Sequence, residues 1–264
     1  MEQQILTACL DRIRLIAQTA GKAILQIKSD ELGVIEKSDG SPLSRADLAS
    51  HLAIQAGLKE IEPKFPILSE EGNLDNISDE NWETYWCVDP LDGTKEFIKG
   101  LTDYTVNIAL VNNCVPILGA VDIPALGVTY WGGLGLGAWK SQGGSAPQQI
   151  CANKCDKASS AVVSRSHLDA ETEQFLARLG ITNAIPHGSS LKICAIADGT
   201  ADIYPRFGPT CLWDTAAGAA IAIQAGCSVV DLSGDNLIYD PSRNIKHAGF
   251  IVSPVGLELP LDKE

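Results

Sequence analysis

The segment YWCVDPLDGTKEFIKG, residues 85–100, places two carboxylates around a proline at the end of an apolar stretch. Asp89 and Asp92 are followed at once by Gly93 and Thr94. A carboxylate at the mouth of an apolar strand is costly unless a cation or a hydrogen-bond donor meets it. The segment therefore predicts that a positively charged group binds here.

Further acidic residues follow apolar residues at the ends of other predicted elements: Asp47, Glu70 with Glu71, and Asp214 in LWDTAAG. Taken singly, the aspartates are explained as helix caps and the glutamates as a solvated turn. Carboxylates that converge from different elements repel one another unless hard cations lie among them. Magnesium suits such a group, because it takes oxygen ligands and leaves positions for water and substrate phosphates.

The string DPLDGT also has the features of an anion site. Pro90 fixes the turn and Leu91 offers a backbone carbonyl. Gly93 lets the backbone N–H groups of residues 93 and 94 approach an anion, above all if a helix begins there. The two aspartates are therefore predicted to hold two cations beside a phosphate.

The elements that position these residues have clear local signals in the first half of the chain. Apolar residues at spacings of three and four predict a long amphipathic helix over residues 3–28. Ser44 and Asp47 fit a capping box at the start of a second helix that runs to about Lys59. FPILSEEG and TYWCVDP are typical of strands, and residues 104–124 and 127–133 indicate antiparallel strands.

A second region opens near residue 150. Helices are predicted at 169–180, at 189–199 with a serine cap, and in the alanine-rich segment 213–226, with strands at 160–167 and 201–207. Because strands and helices do not alternate regularly, the pattern favours an α+β layered fold. We expect two lobes, a metal-binding lobe over 1–150 and a lobe over 151–264 that supplies Asp214 and specificity residues. The glycine cluster GGLGLG at 132–137 is not followed by a helix, which argues against a nucleotide-binding loop.

Composition limits the classes of partner. The chain has 264 residues, 45% of them hydrophobic and 20% charged, and a formal net charge of −13. This acidity argues against a nucleic-acid polymer as partner, which requires a basic face. No apolar run approaches the length of a membrane span, and Asp11, Arg12 and Arg14 interrupt the N-terminal segment, so we expect a cytoplasmic protein.

Three strings, SEEG, DPLDGT and WDTAAG, occur in this order along the chain. They resemble the lithium-sensitive, magnesium-dependent phosphatase superfamily that includes inositol monophosphatase and fructose 1,6-bisphosphatase. VDPLDGTKEFI, GSSLK and YPRFGPTCLWDTAAG are most similar to its 3′(2′),5′-bisphosphate nucleotidase branch. The resemblance covers nearly the whole chain and implies a layered αβαβα sandwich.

The resemblance implies two or three magnesium ions in one active site. One ion is expected at Glu70, Asp89 and the Leu91 carbonyl. A second is expected at Asp89, Asp92 and Asp214, and a third, more weakly held, near Glu70. Two such ions can stabilise both the attacking and the leaving oxygen of an in-line displacement.

The resemblance also implies that the nucleophile is a water molecule oriented by a catalytic pair, Thr94 and Asp47, with no phosphoenzyme. Thr94 has the alternative role of a helix cap, and both roles are compatible. Glu71 either orients water or finishes the turn.

Substrate contacts are expected on both sides of the cleft. They comprise Glu70, Leu91, Asp92, Gly93, Thr94 and Asp214 in the metal site, and His167, Ser189, Lys192 and Arg206 in the second lobe. Lys192 and Arg206 suit a phosphate that is retained and not cleaved. The alternatives are an exposed first-turn lysine for Lys192 and a polar helix-start residue for His167.

The reaction implied is hydrolysis of 3′-phosphoadenosine 5′-phosphate to AMP and phosphate, linked to sulfate assimilation, with 3′-phosphoadenosine 5′-phosphosulfate as a second substrate. An inositol or sugar phosphate phosphatase is the nearest alternative, and a non-catalytic magnesium-binding sensor is a more distant one. The resemblance slightly favours a monomer. It also leaves open a peripheral association with the inner face of the membrane, which the charge of −13 opposes.

Overall fold

The structure is a computed structural model that describes residues 2–28, 30, 32–37, 40–73, 82–165 and 169–261. Its α-helices are Gln3–Leu25 (α1), Arg45–Leu58 (α2), Thr94–Ile98 (α3), Ala170–Leu179 (α4), Leu191–Ala197 (α5) and Leu212–Gln224 (α6). None of the helices in these ranges has the length and apolar character needed to cross a bilayer.

The strands form one large sheet and several small ones. They are Ile35–Glu36 (β1), Pro42–Leu43 (β2), Ile67–Ser69 (β3), Thr84–Asp92 (β4), Thr105–Asn112 (β5), Val115–Ile123 (β6), Val128–Gly133 (β7), Gly137–Gln142 (β8), Gln148–Ile150 (β9), Ser160–Ser164 (β10), Asn183–His187 (β11), Tyr204–Arg206 (β12), Thr210–Cys211 (β13), Cys227–Val230 (β14), Lys246–His247 (β15) and Phe250–Pro254 (β16). The large sheet has the order β3-β4-β5-β6-β7-β8-β9. Its β3–β4 pair is parallel, and the pairs from β4 to β9 are antiparallel.

Helices α1 and α2 cover one face of the large sheet. The apolar residues of α1 recur every three or four positions, so that Leu10, Ile13 and Ile24 lie on one buried stripe. Ser44 and Asp47 form the capping box of α2, as the sequence predicts. This layer fixes the start of α2, and hence Asp47, against the end of β4.

Helices α5 and α6 cover the opposite face of the large sheet. Close packing of α6 depends on small side chains, and its buried face is rich in alanine. At Gly119 in β6, an added Cβ would lie 2.2 Å from the Ala217 carbonyl oxygen of α6. The absence of a side chain there therefore sets how closely α6 approaches the sheet.

A second sheet, of order β12-β16-β14, lies beyond α5 and α6. In β16, Phe250 and Val252 pack into the same core as α5 and α6, whereas Ile251 packs with Phe175 of α4. This alternation places α4 on the outer face, which gives layers in the order α, β, α, β, α. The predicted α+β layered sandwich is confirmed.

Several local predictions differ from the structure. The first helix ends at Leu25, three residues before the predicted limit. GGLGLG, by contrast, agrees with its prediction, since it spans the turn from β7 to β8 and no helix follows it. The serine cap predicted for α5 is wrong, because the Ser190 side chain makes no capping hydrogen bond.

Candidate active site

The end of β4 has an irregular register that turns both of its aspartates toward one region. The pairing of β4 with β5 shifts between Asp89 and Asp92, at the Pro90–Leu91 step. Asp89 Oδ1 accepts a hydrogen bond of 3.0 Å from the Leu91 N–H. Gly93 then adopts φ 93°, and α3 begins at Thr94. The string DPLDGT is therefore a strand end, a left-handed glycine and a helix start in succession.

Asp89, Asp92 and Asp214 form one cluster. Each offers a carboxylate oxygen, and these three oxygens lie within 4.8 Å of one another. Asp214, in the first turn of α6, accepts hydrogen bonds from the Cys211 N–H at 2.9 Å and from Thr210 Oγ1 at 2.7 Å. It is thus a helix cap and a cluster member together.

Burial and mutual repulsion raise the pKa of all three carboxyl groups. Burial raises the pKa of Asp89 well above its usual range, and the charges of Glu70, Asp92 and Asp214 add to the effect. Burial, and then Asp214, raise the pKa of Asp92 to about 6. Burial likewise raises the pKa of Asp214. An ionised cluster of this kind is unfavourable without a cation.

These observations test whether the residues fit a metal ion. The donors are carboxylate oxygens from separate elements, which are the ligands that hard divalent cations prefer. Hydrogen bonds hold the carboxylates of Asp89, Asp92 and Asp214 in place. The cluster fits a hard cation, and Asp89 is the most buried of the three residues.

Glu70 and Glu71 follow β3 and are joined to Lys37, which the sequence analysis missed. The Lys37 ammonium lies 2.9 Å from Glu70 Oε1 and 2.5 Å from Glu71 Oε1. Burial lowers the pKa of Lys37, but its hydrogen bonds to Glu71 and Glu70 outweigh that effect and raise it. Burial raises the pKa of Glu71. Glu70 lines the same cleft as Asp92 and Asp214, and its charge raises the pKa of Asp89 and of Asp214.

Thr94 and Asp47 are in direct contact. Thr94 Oγ1 donates to Asp47 Oδ1 at 2.9 Å and lies 3.2 Å from the Leu91 carbonyl oxygen. The other carboxylate oxygen of Asp47 accepts hydrogen bonds from the Ser44 N–H and Oγ at 2.7 and 2.6 Å. Asp47 therefore caps α2 with one oxygen and holds the Thr94 hydroxyl with the other.

The turn at residues 188–190 joins the second half of the chain to the cluster. The Ser190 N–H donates to Asp92 Oδ2 at 2.8 Å, and its hydroxyl lies 2.6 Å from the Asp214 carbonyl oxygen. The Ser189 hydroxyl lies 2.8 Å from the Asp92 carbonyl oxygen, and Ser189 has φ 50°. Ser189 is among the predicted contacts and Ser190 is not, because the only local signal of Ser190 is the pair of serines before a helix.

The cluster lies in a cleft of about 1070 Å³ between the two halves of the chain. In the described part of the chain, six cationic side chains line this cleft: Lys95, Lys99, Arg165, Lys192, Arg206 and Lys246. Lys192 is buried, donates to the Ser189 carbonyl at 2.8 Å and lies over the Tyr204 ring. The predicted alternative of an exposed lysine is therefore wrong for Lys192.

Arg206 donates to the Gly208 and Pro209 carbonyls at 3.3 and 2.9 Å. Its guanidinium is thus held beside the loop that leads to Asp214. His167, the remaining predicted contact, lies outside the described residues.

Residues 7–258 match the inositol monophosphatase family. A match over most of the chain shows that this protein belongs to the inositol monophosphatase family.

Two curated relatives are the 3′(2′),5′-bisphosphate nucleotidases CysQ of Shigella flexneri and of Escherichia coli strain K12. Each relative is 44% identical to this chain, and the matched region covers 92% of this chain and 99% of the relative. These relatives confirm the resemblance to the nucleotidase branch of the family.

Solved structures agree with the fold. CysQ from Bacteroides thetaiotaomicron superposes with a TM-score of 0.81 at 38% identity, over 96% of this chain and 98% of that one. The Thermotoga maritima IMPase superposes with a TM-score of 0.76 at 24% identity, over 95% of this chain and 93% of that one. The second similarity is evidence for the fold alone.

Proposed function

We propose that this protein hydrolyses the 3′-phosphate of 3′-phosphoadenosine 5′-phosphate to give AMP and phosphate. The observation that carries the proposal is the cluster of Asp89, Asp92 and Asp214 in a cleft that cationic side chains line. In a chain with a net charge of −13, such a cleft is the feature that suits a highly anionic small substrate. The names of the 44% identical relatives supply the substrate class.

Magnesium is the cation that we propose for the site, and its two or three positions follow the predicted ligand sets. Glu70, Asp89 and the Leu91 carbonyl would hold one ion, and Asp89, Asp92 and Asp214 would hold another. Bound magnesium supplies Lewis-acid stabilisation of the charge that develops on the phosphoryl oxygens. The buried carboxylates orient their oxygens through hydrogen bonds to Leu91, Ser190 and Cys211.

The chain's own contribution to proton transfer is the contact between Thr94 and Asp47. Because the Thr94 hydroxyl donates a hydrogen bond to Asp47, its oxygen is oriented to accept a hydrogen bond from a water molecule. Ser44 fixes the Asp47 carboxylate from the opposite side. The pair can therefore orient the attacking water and receive its proton as the water oxygen bonds to phosphorus. The P–O bond to the nucleotide breaks, and the released 3′-oxygen takes up a proton from solvent.

Binding of the retained 5′-phosphate and the nucleoside falls to the second half of the chain. We propose contacts from Lys192 and Arg206, with Ser189 shaping the turn beside Asp92. Contact by His167, the number of ions, lithium sensitivity, the link to sulfate assimilation, the oligomeric state and the cellular location stay predictions.

The test is phosphate release from 3′-phosphoadenosine 5′-phosphate by the pure protein, with magnesium and with EDTA, beside inositol 1-phosphate. The expected result is magnesium-dependent release with a preference for the nucleotide. Faster release from the inositol ester would overturn the proposed substrate and keep the metal mechanism. No release from either ester would point to the non-catalytic magnesium-binding alternative.

A further inference from the structure

Arg165 differs from the other cations of the cleft in how it is held. It follows β10, lines the cleft, and forms an ion pair of 2.8 Å between its Nη2 and Asp103 Oδ2. The side chain of Asp103 is only 4% exposed, whereas that of Arg165 is 42% exposed. The guanidinium is therefore anchored at a buried carboxylate and still open to the cleft.

Asp103 is itself held by the turn at residues 188–190, which also contacts the carboxylate cluster. Its Oδ2 also accepts a hydrogen bond of 2.7 Å from the Gly188 N–H. The backbone N–H of Arg165 donates to the His187 carbonyl at 3.2 Å. The Arg165 backbone is thus bonded to His187, and its guanidinium is paired with Asp103, which Gly188 holds in turn. These contacts limit the conformations available to the guanidinium.

The guanidinium keeps donors for a ligand. An arginine offers five N–H donors in a planar fork, and the Asp103 contact uses one side of that fork. The remaining donors have the geometry that matches two phosphate oxygens. Lys192 differs, because its ammonium is buried and donates to the Ser189 carbonyl.

Arg165 lines the same cleft as Asp92 and Asp214 of the carboxylate cluster. Asp103 contacts Gly188, and Ser190, two residues along, donates to Asp92 at 2.8 Å. Two residues of chain span at most about 7 Å. These links join Arg165 to Asp92 across one cleft that both residues line, so one substrate in the cleft can contact both.

We propose that Arg165 is a specificity-determining residue that binds the phosphate that is not cleaved, and that Asp103 is the positioning residue that holds its guanidinium. This proposal rests on the proposed function and adds Arg165 to Lys192 and Arg206 as a contact of the retained phosphate, one that favours a bisphosphorylated nucleotide over a monophosphorylated one.

The test compares two substrates that differ only in the retained phosphate: 3′-phosphoadenosine 5′-phosphate and adenosine 3′-phosphate. In Arg165→Gln, kcat/KM for the bisphosphate is expected to fall about 10- to 100-fold, mainly through KM, which is the effect of losing a hydrogen bond to a charged group. The value for adenosine 3′-phosphate should change less than about threefold. Arg165→Lys keeps a charge beside Asp103 but loses the fork, so it should give a smaller loss on the bisphosphate alone.

Arg12→Gln, an exposed change on α1, is the charge-matched control and should leave both values unchanged. Activity on adenosine 3′-phosphate reports that each variant is folded. An equal fall on both substrates, or no fall on either, would overturn the role of Arg165. If the wild-type enzyme still prefers the bisphosphate, the proposed function stands and only the role of Arg165 is overturned. If the wild-type enzyme lacks this preference, the proposed function and the role of Arg165 are both overturned.

Discussion

Asp47 combines a helix cap and a contact with the proposed catalytic Thr94 within one side chain. One carboxylate oxygen caps α2 through Ser44, and the other accepts a hydrogen bond from the Thr94 hydroxyl. Because Asp47 lies in the first turn of α2, the packing of α2 also fixes the orientation of the Thr94 hydroxyl. For this reason the capping interpretation of Asp47 and its role in the site are compatible.

Removal of the Thr94 hydroxyl should affect turnover far more than metal binding. In Thr94→Ala we expect kcat to fall about 10²- to 10⁴-fold, because the oriented proton acceptor is lost. The magnesium concentration for half-maximal activity should change little, since the carboxylate ligands are untouched. Steady-state kinetics with a magnesium titration measures both quantities.

Thr94→Ser is the matched control, because it keeps the hydroxyl that donates to Asp47. It should retain activity within about tenfold of the wild type. Equal losses in the alanine and serine variants would show that the methyl group, and not the hydroxyl, is what the site requires.

Asp92→Asn should separate catalysis from stability. Turnover should fall by at least about 10²-fold, because one charge of the proposed cation site is lost. Without metal, the variant should be more stable than the wild type, since burial and Asp214 make ionisation of Asp92 unfavourable. Asparagine can still accept the hydrogen bond from the Ser190 N–H.

Phosphate release and thermal unfolding in EDTA give the two readouts for Asp92→Asn. Asp235→Asn, on an exposed loop, is the control for loss of a surface charge. Near-normal turnover in Asp92→Asn would contradict the metal assignment, and a lower Tm in EDTA would contradict the repulsion argument.

At the scale of elements, close approach of α6 to the large sheet positions Asp214. Gly119→Ala places a methyl group 2.2 Å from the Ala217 carbonyl oxygen. Because this oxygen belongs to the backbone of α6, the clash is relieved only if the helix moves away from the sheet. We expect a loss of about 1–3 kcal/mol in the free energy of unfolding. Turnover should also fall, because the start of α6 carries Asp214.

Chemical denaturation measures the stability of Gly119→Ala, with Gly208→Ala as control. An added Cβ at Gly208 meets no atom within 4 Å, so that variant should unfold like the wild type. Equal stabilities of the two variants would show that the helix and sheet can separate at no cost.

Elements with strong local signals could be predicted from the sequence. The spacing of apolar residues gave α1, and Ser44 with Asp47 gave the start of α2. The role of Ser190 could not be predicted, because its hydroxyl contacts Asn107, 83 positions away, and the Asp214 carbonyl, 24 positions away. Lys37 is similar, since its carboxylate partners lie 33 and 34 positions along the chain.

At the scale of the whole molecule, the distribution of charge matters more than its sum. The chain carries 33 acidic and 20 basic residues, yet six cationic side chains line one cleft in the described part of the chain. Asp92 and Asp214 of the carboxylate cluster line the same cleft. The cleft can therefore attract an anion beside the proposed cation, and binding of that cation would stabilise the folded state.

This coupling predicts that magnesium raises the Tm, and by more at neutral than at acidic pH. In the metal-free protein the pKa of Asp92 is raised to about 6, above the value of about 3.9 for an unfolded aspartate. Between these values the folded state binds more protons, so the contribution of Asp92 to stability falls as the pH rises through this window. Magnesium requires the deprotonated carboxylates, so its gain must grow over the same window.

Thermal unfolding at pH 5 and pH 7.5, with magnesium or with EDTA at matched ionic strength, tests this coupling. At a concentration of about 100 times Kd, a ligand stabilises the folded state by about 2.7 kcal/mol. For a chain of this size that corresponds to a Tm gain of about 5–10 °C at pH 7.5. The gain should shrink at pH 5 and in Asp92→Asn. A gain that is as large at pH 5, or that survives the substitution, would place the stabilising cation at a site other than the carboxylate cluster.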